Sequence, residues 1–404
     1  MSGENVIDAI NAANSESAGH RWRNRSWLLL ALCILVVVGV LITIRSADPT
    51  LPPGVTRPDF EKAAAEFRRN FGRRGDHFDV LMTLAKIAAE NKDSETAVAC
   101  YQQIPTEDRH YGPSARYEEA QLFVQADQVQ HAEHSFSEFL KLSERGIQLP
   151  DRQVLLSRHW LSLIFGIELR PEERRTVLHG LLDDHQADIH DVKQYYFPSL
   201  LIWQSAFGSG RIRDFLKLDP ANRHLRNAEA RYLTGEGRLN EAREQLKELH
   251  LQDPQDLRTA AFLLECALES NDWPAFSKVF ADLPAFREDD PWLLTQMRGE
   301  WALHQNDWIE AEVLFRSLLQ IDPPNAECHM GLARAFAGQG KTAEREALLQ
   351  RSLLIAKLRV SLAAVTHDDP RATRSVADLS RQLGMEDAAA ILEFFAANMS
   401  TEQK

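Results

Sequence analysis

The sequence predicts an all-α solenoid of stacked antiparallel helix hairpins behind one N-terminal transmembrane helix. Small residues recur in pairs twelve places apart, and the spacing between successive pairs points to a repeat in the thirties. An uncharged apolar run stands near the N-terminus. The chain of 404 residues is rich in Ala, Leu, Glu and Arg and shows no convincing alternation of β-branched residues, which argues against a β-sheet.

Each pair of small residues marks the closest contact predicted between two neighbouring helices. Twelve residues make about one helix face plus a tight turn, and a long side chain there would push the helices apart. The pairs are Ala85/Ala97, Ala120/Ala132, Ala230/Ala242, Leu263/Ala275 and Gly299/Ala311. Their second members lie 35, 110, 33 and 36 residues apart, and 110 is close to three further periods. This period indicates stacked repeats rather than a compact enzyme core.

The apolar run covers residues 27–44 and reads WLLLALCILVVVGVLITI. Its length is just enough to cross a bilayer, so we predict a transmembrane signal anchor at residues 26–45. Three arginines precede it, at Arg21, Arg23 and Arg25, whereas Arg45 alone follows. This bias keeps the tail, residues 1–25, cytoplasmic and predicts a periplasmic or other extracytoplasmic C-terminal domain.

A cleaved signal peptide is the alternative to the anchor. Arg45 stands where cleavage requires a small residue, and the apolar run is longer than a usual signal core. Few Asn-x-Ser/Thr sites occur in the exported part, which favours a bacterial inner membrane. Residues 46–58 contain four prolines and predict an extended linker.

Residues 59–400 form the predicted helical repeat domain. It opens with an amphipathic helix from Asp59 to Phe71. Asp-Pro steps such as Asp253-Pro254 and Asp322-Pro323 separate the later pairs, since proline interrupts a helix and Asp caps one. The helix pairs are predicted near residues 77–104, 113–144, 151–183, 190–218, 222–251, 256–282, 290–320, 325–355 and 371–398.

Two segments, Leu239–Pro254 and Trp308–Pro323, resemble the second helix and terminal Asp-Pro of a tetratricopeptide repeat. An alanine followed by an aromatic residue four places later recurs at Ala97/Tyr101, Ala132/Phe136 and Ala311/Phe315. The resemblance is clearest over residues 78–142 and 223–340, residues 150–220 are divergent, and residues 341–400 read as a C-terminal cap. The sequence departs from the family pattern at two positions. Leu263 stands where Gly or Ala is usual, and Arg345 stands twelve residues after Ala333, where the second small residue of a pair is expected. The resemblance implies a right-handed superhelix and protein–protein interaction.

Composition and motifs predict neither an enzyme nor a cofactor. The net charge of −13 argues against nucleic acid as a partner. The acidic stretch with His185 and His190 places the two histidines on different helix faces, and His131 and His134 have no Glu between them, so no metal site is predicted. No nucleophile elbow and no CxxC motif occurs in the sequence.

The tetratricopeptide resemblance implies partner binding on a concave face lined by the first helix of each pair. Candidate contact residues are found by stepping along these first helices at helical spacing, away from the packing positions. For each candidate the alternative is a helix face that is merely solvated. The candidates are Tyr117, Gln121, Asn227, Arg231, Gln296, Glu300, Met330 and Arg334.

The predicted function is a non-catalytic, membrane-anchored scaffold that binds an unidentified protein or peptide outside the cytoplasm. The alternative is a scaffold that contacts glycan or exopolysaccharide in the envelope through stacking aromatics. Core packing would explain the same aromatics, which are concentrated in the divergent middle: Trp160, Phe165, Tyr195, Tyr196, Phe197, Trp203 and Phe207.

Overall fold

A computed structural model describes residues 77–90, 92–201, 209–366 and 368–399. All regular structure within them is helical, in nineteen helices with no strand, so the all-α prediction is confirmed for this part of the chain. The predicted tail, signal anchor, linker and opening amphipathic helix lie outside the described residues. None of the helices that the structure describes is at once long and apolar enough to span a membrane.

The chain divides into two compact units, residues 1–157 and 158–404. The described part of the first unit contains α1 (His77–Glu90), α2 (Ser94–Gln102), α3 (Gly112–Gln125), α4 (Val129–Glu144) and the start of α5 (Asp151–Ile167). From α1 to α4, each helix packs on the next. The core of the first hairpin buries Leu81 and Tyr101 beside the small residues Ala85 and Ala97.

The second unit continues from the end of α5 through fourteen further helices in its described residues. They are α6 (Pro171–Asp183), α7 (Ile189–Tyr196), α8 (Pro198–Leu201), α9 (Ser209–Leu218), α10 (Arg223–Gly235), α11 (Leu239–Gln252), α12 (Leu257–Glu269), α13 (Trp273–Ala281), α14 (Trp292–His304), α15 (Trp308–Ile321), α16 (Ala326–Gly338), α17 (Thr342–Ala364), α18 (Pro370–Gln382) and α19 (Glu386–Met399).

Helices α10 to α19 build the repeat stack of the second unit. Within each hairpin the two helices contact each other, and α12 also contacts α10 and α14 while α14 contacts α16. The first helices of four successive hairpins therefore share one surface, here called the first-helix face, formed by α10, α12, α14 and α16. The right-handed superhelical sense stays a prediction.

The small residues used to predict the repeats lie at helix contacts. All nine predicted packing residues are buried except Ala275, which is partly buried beside Phe276. The fully buried ring of Phe315 shows why small residues are needed. A Cβ added at Gly299 would lie 2.8 Å from this ring, and one at Gly331 would lie 2.4 Å from it. The glycines of α14 and α16 therefore leave the space that Phe315 of α15 fills.

Asp-Pro steps end helices more often than they begin them. Asp253 and Asp322 are the residues at which α11 and α15 stop. The next helices are capped three residues later by Asp256 and Asn325, whose side chains accept hydrogen bonds from backbone N–H groups. At Asp369 the predicted arrangement holds, because its carboxylate caps α18 directly. The prediction that Asp caps the following helix is thus wrong at Asp253 and Asp322.

The divergent middle does not continue as an ordinary hairpin. The pair predicted near residues 190–218 is instead the short helices α7 and α8, followed after an undescribed stretch by α9. Residues 168–201, here called the strap, pack on helices far along the chain. Phe197 and Leu200 share a buried cluster with Leu358 of α17 and Leu392 of α19, and Lys193 Nζ donates to the carbonyl of Val365 at 3.1 Å.

We expect Gly331→Ala to destabilise the second unit. Alanine is the better helix former, but a Cβ only 2.4 Å from the Phe315 ring must displace a fully buried side chain. Overpacking of this kind costs about 1–3 kcal/mol. Thermal unfolding of the purified chain measures the loss. Gly210→Ala is the control, since nothing lies within 4 Å of its added Cβ; an equal or larger loss there would contradict the explanation.

We expect Phe197→Ala to loosen the C-terminal cap. Phe197 is fully buried in the cluster shared with α17, α18 and α19, and such a truncation typically costs about 3–5 kcal/mol. Hydrogen exchange should accelerate in α18 and α19 although the substitution lies far away in sequence. Phe394→Ala is the matched control, because this ring is 64% exposed. Unchanged exchange in both variants would show that the strap does not hold the cap.

Candidate functional site

The candidate site is the first-helix face of the second unit, where six of the eight predicted contact residues lie. Asn227 and Arg231 belong to α10, Gln296 and Glu300 to α14, and Met330 and Arg334 to α16. The remaining two, Tyr117 and Gln121, belong to α3 of the first unit.

Arg231 does not point freely into solvent. Its guanidinium donates to both carboxylate oxygens of Glu265 on α12, at 2.9 and 3.0 Å. Burial lowers the pKa of Arg231, but the adjacent Glu265 carboxylate raises this pKa by more than burial lowers it, so the net shift is upward. A two-point bond of this kind holds planar groups in one orientation and thereby fixes α10 against α12.

A similar bridge joins α14 to α16, two hairpins further along, with the arginine on the later helix. Arg334 of α16 donates to the Glu300 carboxylate of α14, and Gln296 donates to Glu327 at 2.7 Å. The four bridge positions 231, 265, 300 and 334 are thus one repeat apart. Sequence reasoning missed Glu265, although its distance of 34 residues from Arg231 could have identified it.

Asn227 is committed to a buried polar network between α10 and α12. It is 1% exposed, and its amide donates to Thr259 Oγ1 at 2.9 Å. The Thr259 hydroxyl contacts the Asp256 carboxylate, which accepts from Arg223 Nε at 2.7 Å. Asn227 therefore holds two hairpins together and is not accessible to a partner in this structure.

Met330 differs from these residues because its side chain is 64% exposed. It lies on the outward side of α16, three residues after Glu327 and four before Arg334. The Arg334 side chain is 54% exposed even though it bonds Glu300. Met330 and Arg334 are therefore the predicted contact residues most available to a partner.

Tyr117 and Gln121 are packing residues of α3 rather than an open surface. Tyr117 is 9% exposed and its ring lies 6.2 Å from that of Phe136 and 5.7 Å from that of Phe139. Burial raises the pKa of the Tyr117 hydroxyl. The Gln121 side chain buries its amide nitrogen without a hydrogen-bond partner among the described residues.

The strap covers part of the first-helix face. Glu172 accepts from the Trp292 backbone N–H at 2.8 Å, and Glu173 pairs with Arg258 of α12 at 2.9 Å. Burial raises the pKa of Glu173, but Arg258 and Arg170 lower it more, so it lies below its usual range. Glu173 is therefore an ionised partner of the repeat stack, and Glu172 adds a hydrogen bond to the start of α14.

A cavity of about 60 Å³ separates the strap from the repeat stack, lined by Pro198 and Ser199 on one side and by Arg231, Gln296 and Asp322 on the other. Burial raises the pKa of Asp322 to about 6, and hydrogen bonding to Ser199 and Asn325 together with the nearby Arg175 offsets part of the rise. The cavity has room for water but not for a peptide side chain.

The aromatic residues of the divergent middle mainly pack against other side chains of the protein. Phe165 and Phe197 are buried, and the Tyr195 ring lies under the Arg175 guanidinium at 4.3 Å. Trp203 and Phe207 lie outside the described residues. Within the described ones, this supports the packing interpretation over a sugar-stacking surface.

No group of His, Cys, Asp and Glu among the described residues could hold a metal ion. The acidic stretch near His190 is a helix cap: Asp188 and Asp191 form a capping box at the start of α7. Cys100, Cys266 and Cys328 are buried and unpaired, and burial raises their thiol pKa values. These groups are structural, not reactive.

Solved structures of similar helical proteins cover most of the chain. A tetratricopeptide repeat protein from Parabacteroides merdae shares 11% identity, with 69% of this chain and 92% of that chain covered and a TM-score of 0.25. A human IFIT1 dimer with m7Gppp-AAAA shares 12%, covering 83% and 93%, with a TM-score of 0.34. Yeast Tom70 shares 12%, covering 94% and 97%, with a TM-score of 0.30. Similarity this distant says nothing about ligands.

Sequence comparison is more specific. No curated protein matches the chain. The tetratricopeptide repeat family model matches residues 233–293 and 302–366. These segments contain α11 to α13 and α15 to α17, with the pair Leu263/Ala275 and the steps Asp253-Pro254 and Asp322-Pro323. The predicted tetratricopeptide resemblance is thereby supported in this part of the second unit.

Proposed function

We propose that this chain is a membrane-anchored scaffold that binds a protein partner outside the cytoplasm and performs no chemistry itself. The match of residues 233–293 and 302–366 to the tetratricopeptide family supports this role, because such repeats commonly bind proteins or peptides. The polar side chains of the first-helix face support it too, because they hold hairpins to one another and do not form a catalytic constellation.

The partner surface that we propose is the exposed part of α16 around Met330 and Arg334. Covering a large apolar side chain that is 64% exposed is favourable. Met and Arg are both enriched where proteins contact each other. The other predicted candidates of the second unit are occupied, since Asn227 and Arg231 bond α12 and the strap reaches the cavity beside Gln296.

The location rests on the sequence. Residues 27–44 are apolar and uncharged, and the arginines lie almost entirely on their N-terminal side. This arrangement supports an uncleaved anchor with the repeat domain in the periplasm of a bacterial cell. A scaffold tethered in this way searches for its partner at the membrane surface, which raises the effective concentration of the two components.

We expect Met330→Glu to abolish partner recovery. The substitution replaces an exposed apolar contact by a charge that must be desolvated on binding. A hot-spot residue at the centre of an interface accounts for about 2 kcal/mol or more, roughly thirtyfold in affinity. The full chain, solubilised from envelope membranes, is captured and co-purifying protein is measured by mass spectrometry. Leu251→Glu is the matched control, because Leu251 is also an exposed apolar helix residue, on α11.

Two results would speak against the proposed partner surface. One is a protein recovered in stoichiometric amount by wild type and both variants alike. The other is the absence of protein together with retained envelope polysaccharide that is lost in Trp160→Ala. The latter result would favour the glycan-binding scaffold instead.

Fusions to the two termini test the topology. A reporter active only outside the cytoplasm should give signal when fused after Lys404 and none when fused before Met1, because the arginines hold the N-terminal side inside. Sequencing the N-terminus of the membrane-bound protein distinguishes an anchor from a signal peptide. A mature chain that begins near Asp48 would exclude the anchor.

A further inference from the structure

A cleft lies between α15 and α17, over α16. Its volume is about 290 Å³, far more than that of the cavity beside the strap. Leu319, Leu332 and Leu348 form its apolar part, and Leu319 and Leu348 pack on the buried cluster that contains Leu332. An apolar side chain of a ligand would find there a preformed surface that shields it from water.

The polar part of the cleft is basic. Arg316, His329 and Arg351 line it, and none of the described residues in its lining is acidic. Arg316 bonds Glu312 at its edge at 2.9 Å, but the Glu312 carboxylate also accepts from Gln339 and Lys341. A guanidinium has five N–H donors, so Arg316 retains donors for a ligand. In a chain of net charge −13 this local sign favours an anionic ligand.

His329 presents an acceptor rather than a charge. It is 3% exposed, and its Nε2 lies 2.9 Å from the carbonyl oxygen of Pro323. A carbonyl only accepts, so Nε2 carries the proton and Nδ1 has a lone pair. Burial, aided by the nearby Arg351, lowers the pKa of the ring, which therefore stays neutral at neutral pH. Nδ1 is buried and has no hydrogen-bond partner among the described residues.

Arg351 presents the complementary donor. Its guanidinium donates to the carbonyl of Leu383, while its Nε is buried and has no hydrogen-bond partner in the part of the chain that the structure describes. The cleft therefore combines one unpaired acceptor, one unpaired donor and positive charge beside leucine side chains. Buried polar atoms without partners cost free energy, and a ligand that satisfies both atoms recovers it.

We propose that the cleft between α15 and α17 binds an acidic peptide segment. The carboxylate of an Asp or Glu side chain pairs with Arg316 and Arg351, a peptide N–H donates to His329 Nδ1, and an adjacent apolar side chain lies against Leu319 and Leu348. A simple anion fits less well, because it has neither the N–H donor nor the apolar group. Val313, Leu349 and Leu353 are further exposed apolar side chains on the same two helices.

This site rests on the proposed peptide-binding role of the scaffold, but not on Met330 or on the membrane anchor. The test uses the detergent-solubilised full chain and a dye-labelled, terminally blocked peptide with the sequence Gly-Leu-Glu-Leu-Gly. Fluorescence anisotropy should show saturable binding that weakens at least tenfold when Glu is replaced by Gln in the peptide. Glutamate and inorganic phosphate should compete poorly.

The protein variants locate the binding. Arg351→Gln and Arg316→Gln should each weaken peptide binding about tenfold. Arg345→Gln, an exposed arginine of α17 outside the cleft, should leave it unchanged. Arg316 serves as the second variant because its side chain is 56% exposed, whereas Arg351 also bonds the carbonyl of Leu383.

Equal affinity for the Glu and Gln peptides, or full binding by a folded Arg316→Gln variant, would overturn the proposal. Met330→Glu should bind this peptide normally. If it instead loses the peptide, the ligand lies on the first-helix face and the cleft is not its site.

Discussion

The stack depends on how closely neighbouring helices approach at their small residues. The constraint is tightest at Phe315, because its ring fills space that exists only while positions 299 and 331 carry no Cβ. Such packing contributes free energy through many weak contacts that vanish together when the fit is lost. It also sets the distance between first helices, so that side chains one repeat apart can bond.

The inter-hairpin bridges follow from that distance. Arg231 and Glu265 are both largely buried, with side chains 10% and 14% exposed. A buried ion pair adds little net stability because desolvation offsets its attraction, yet losing one partner leaves an uncompensated charge and costs about 3–5 kcal/mol. We therefore interpret the bridges as devices that fix the register of successive hairpins. This explains why Arg231 is unavailable for binding although it lies on the first-helix face.

The periodic features of the fold, which are the small packing residues and the helix boundaries, could be predicted from the sequence. Ala230, Ala242 and Ala311 are buried as expected, and the helices begin and end near the predicted breaks. The sequence could not predict the strap, because the contact between Lys193 and Val365 spans 172 residues and leaves no local pattern. Tyr117 fails as a contact residue for a different reason: a helix that packs on several sides buries more than one stripe, so periodicity does not fix which face is open.

The strap changes what kind of scaffold the second unit can be. An open stack of hairpins can vary its curvature, since each hairpin contacts only its neighbours. Here α7 and α8 pack against α17 to α19, and Glu172 and Glu173 bond the starts of α14 and α12. These contacts tie the beginning of the second unit to its end and restrict bending. A surface held rigid before binding loses less conformational entropy when a partner docks. In this unit the strap therefore adds rigidity by covering part of the first-helix face. The surfaces left to partners are those that the strap does not reach.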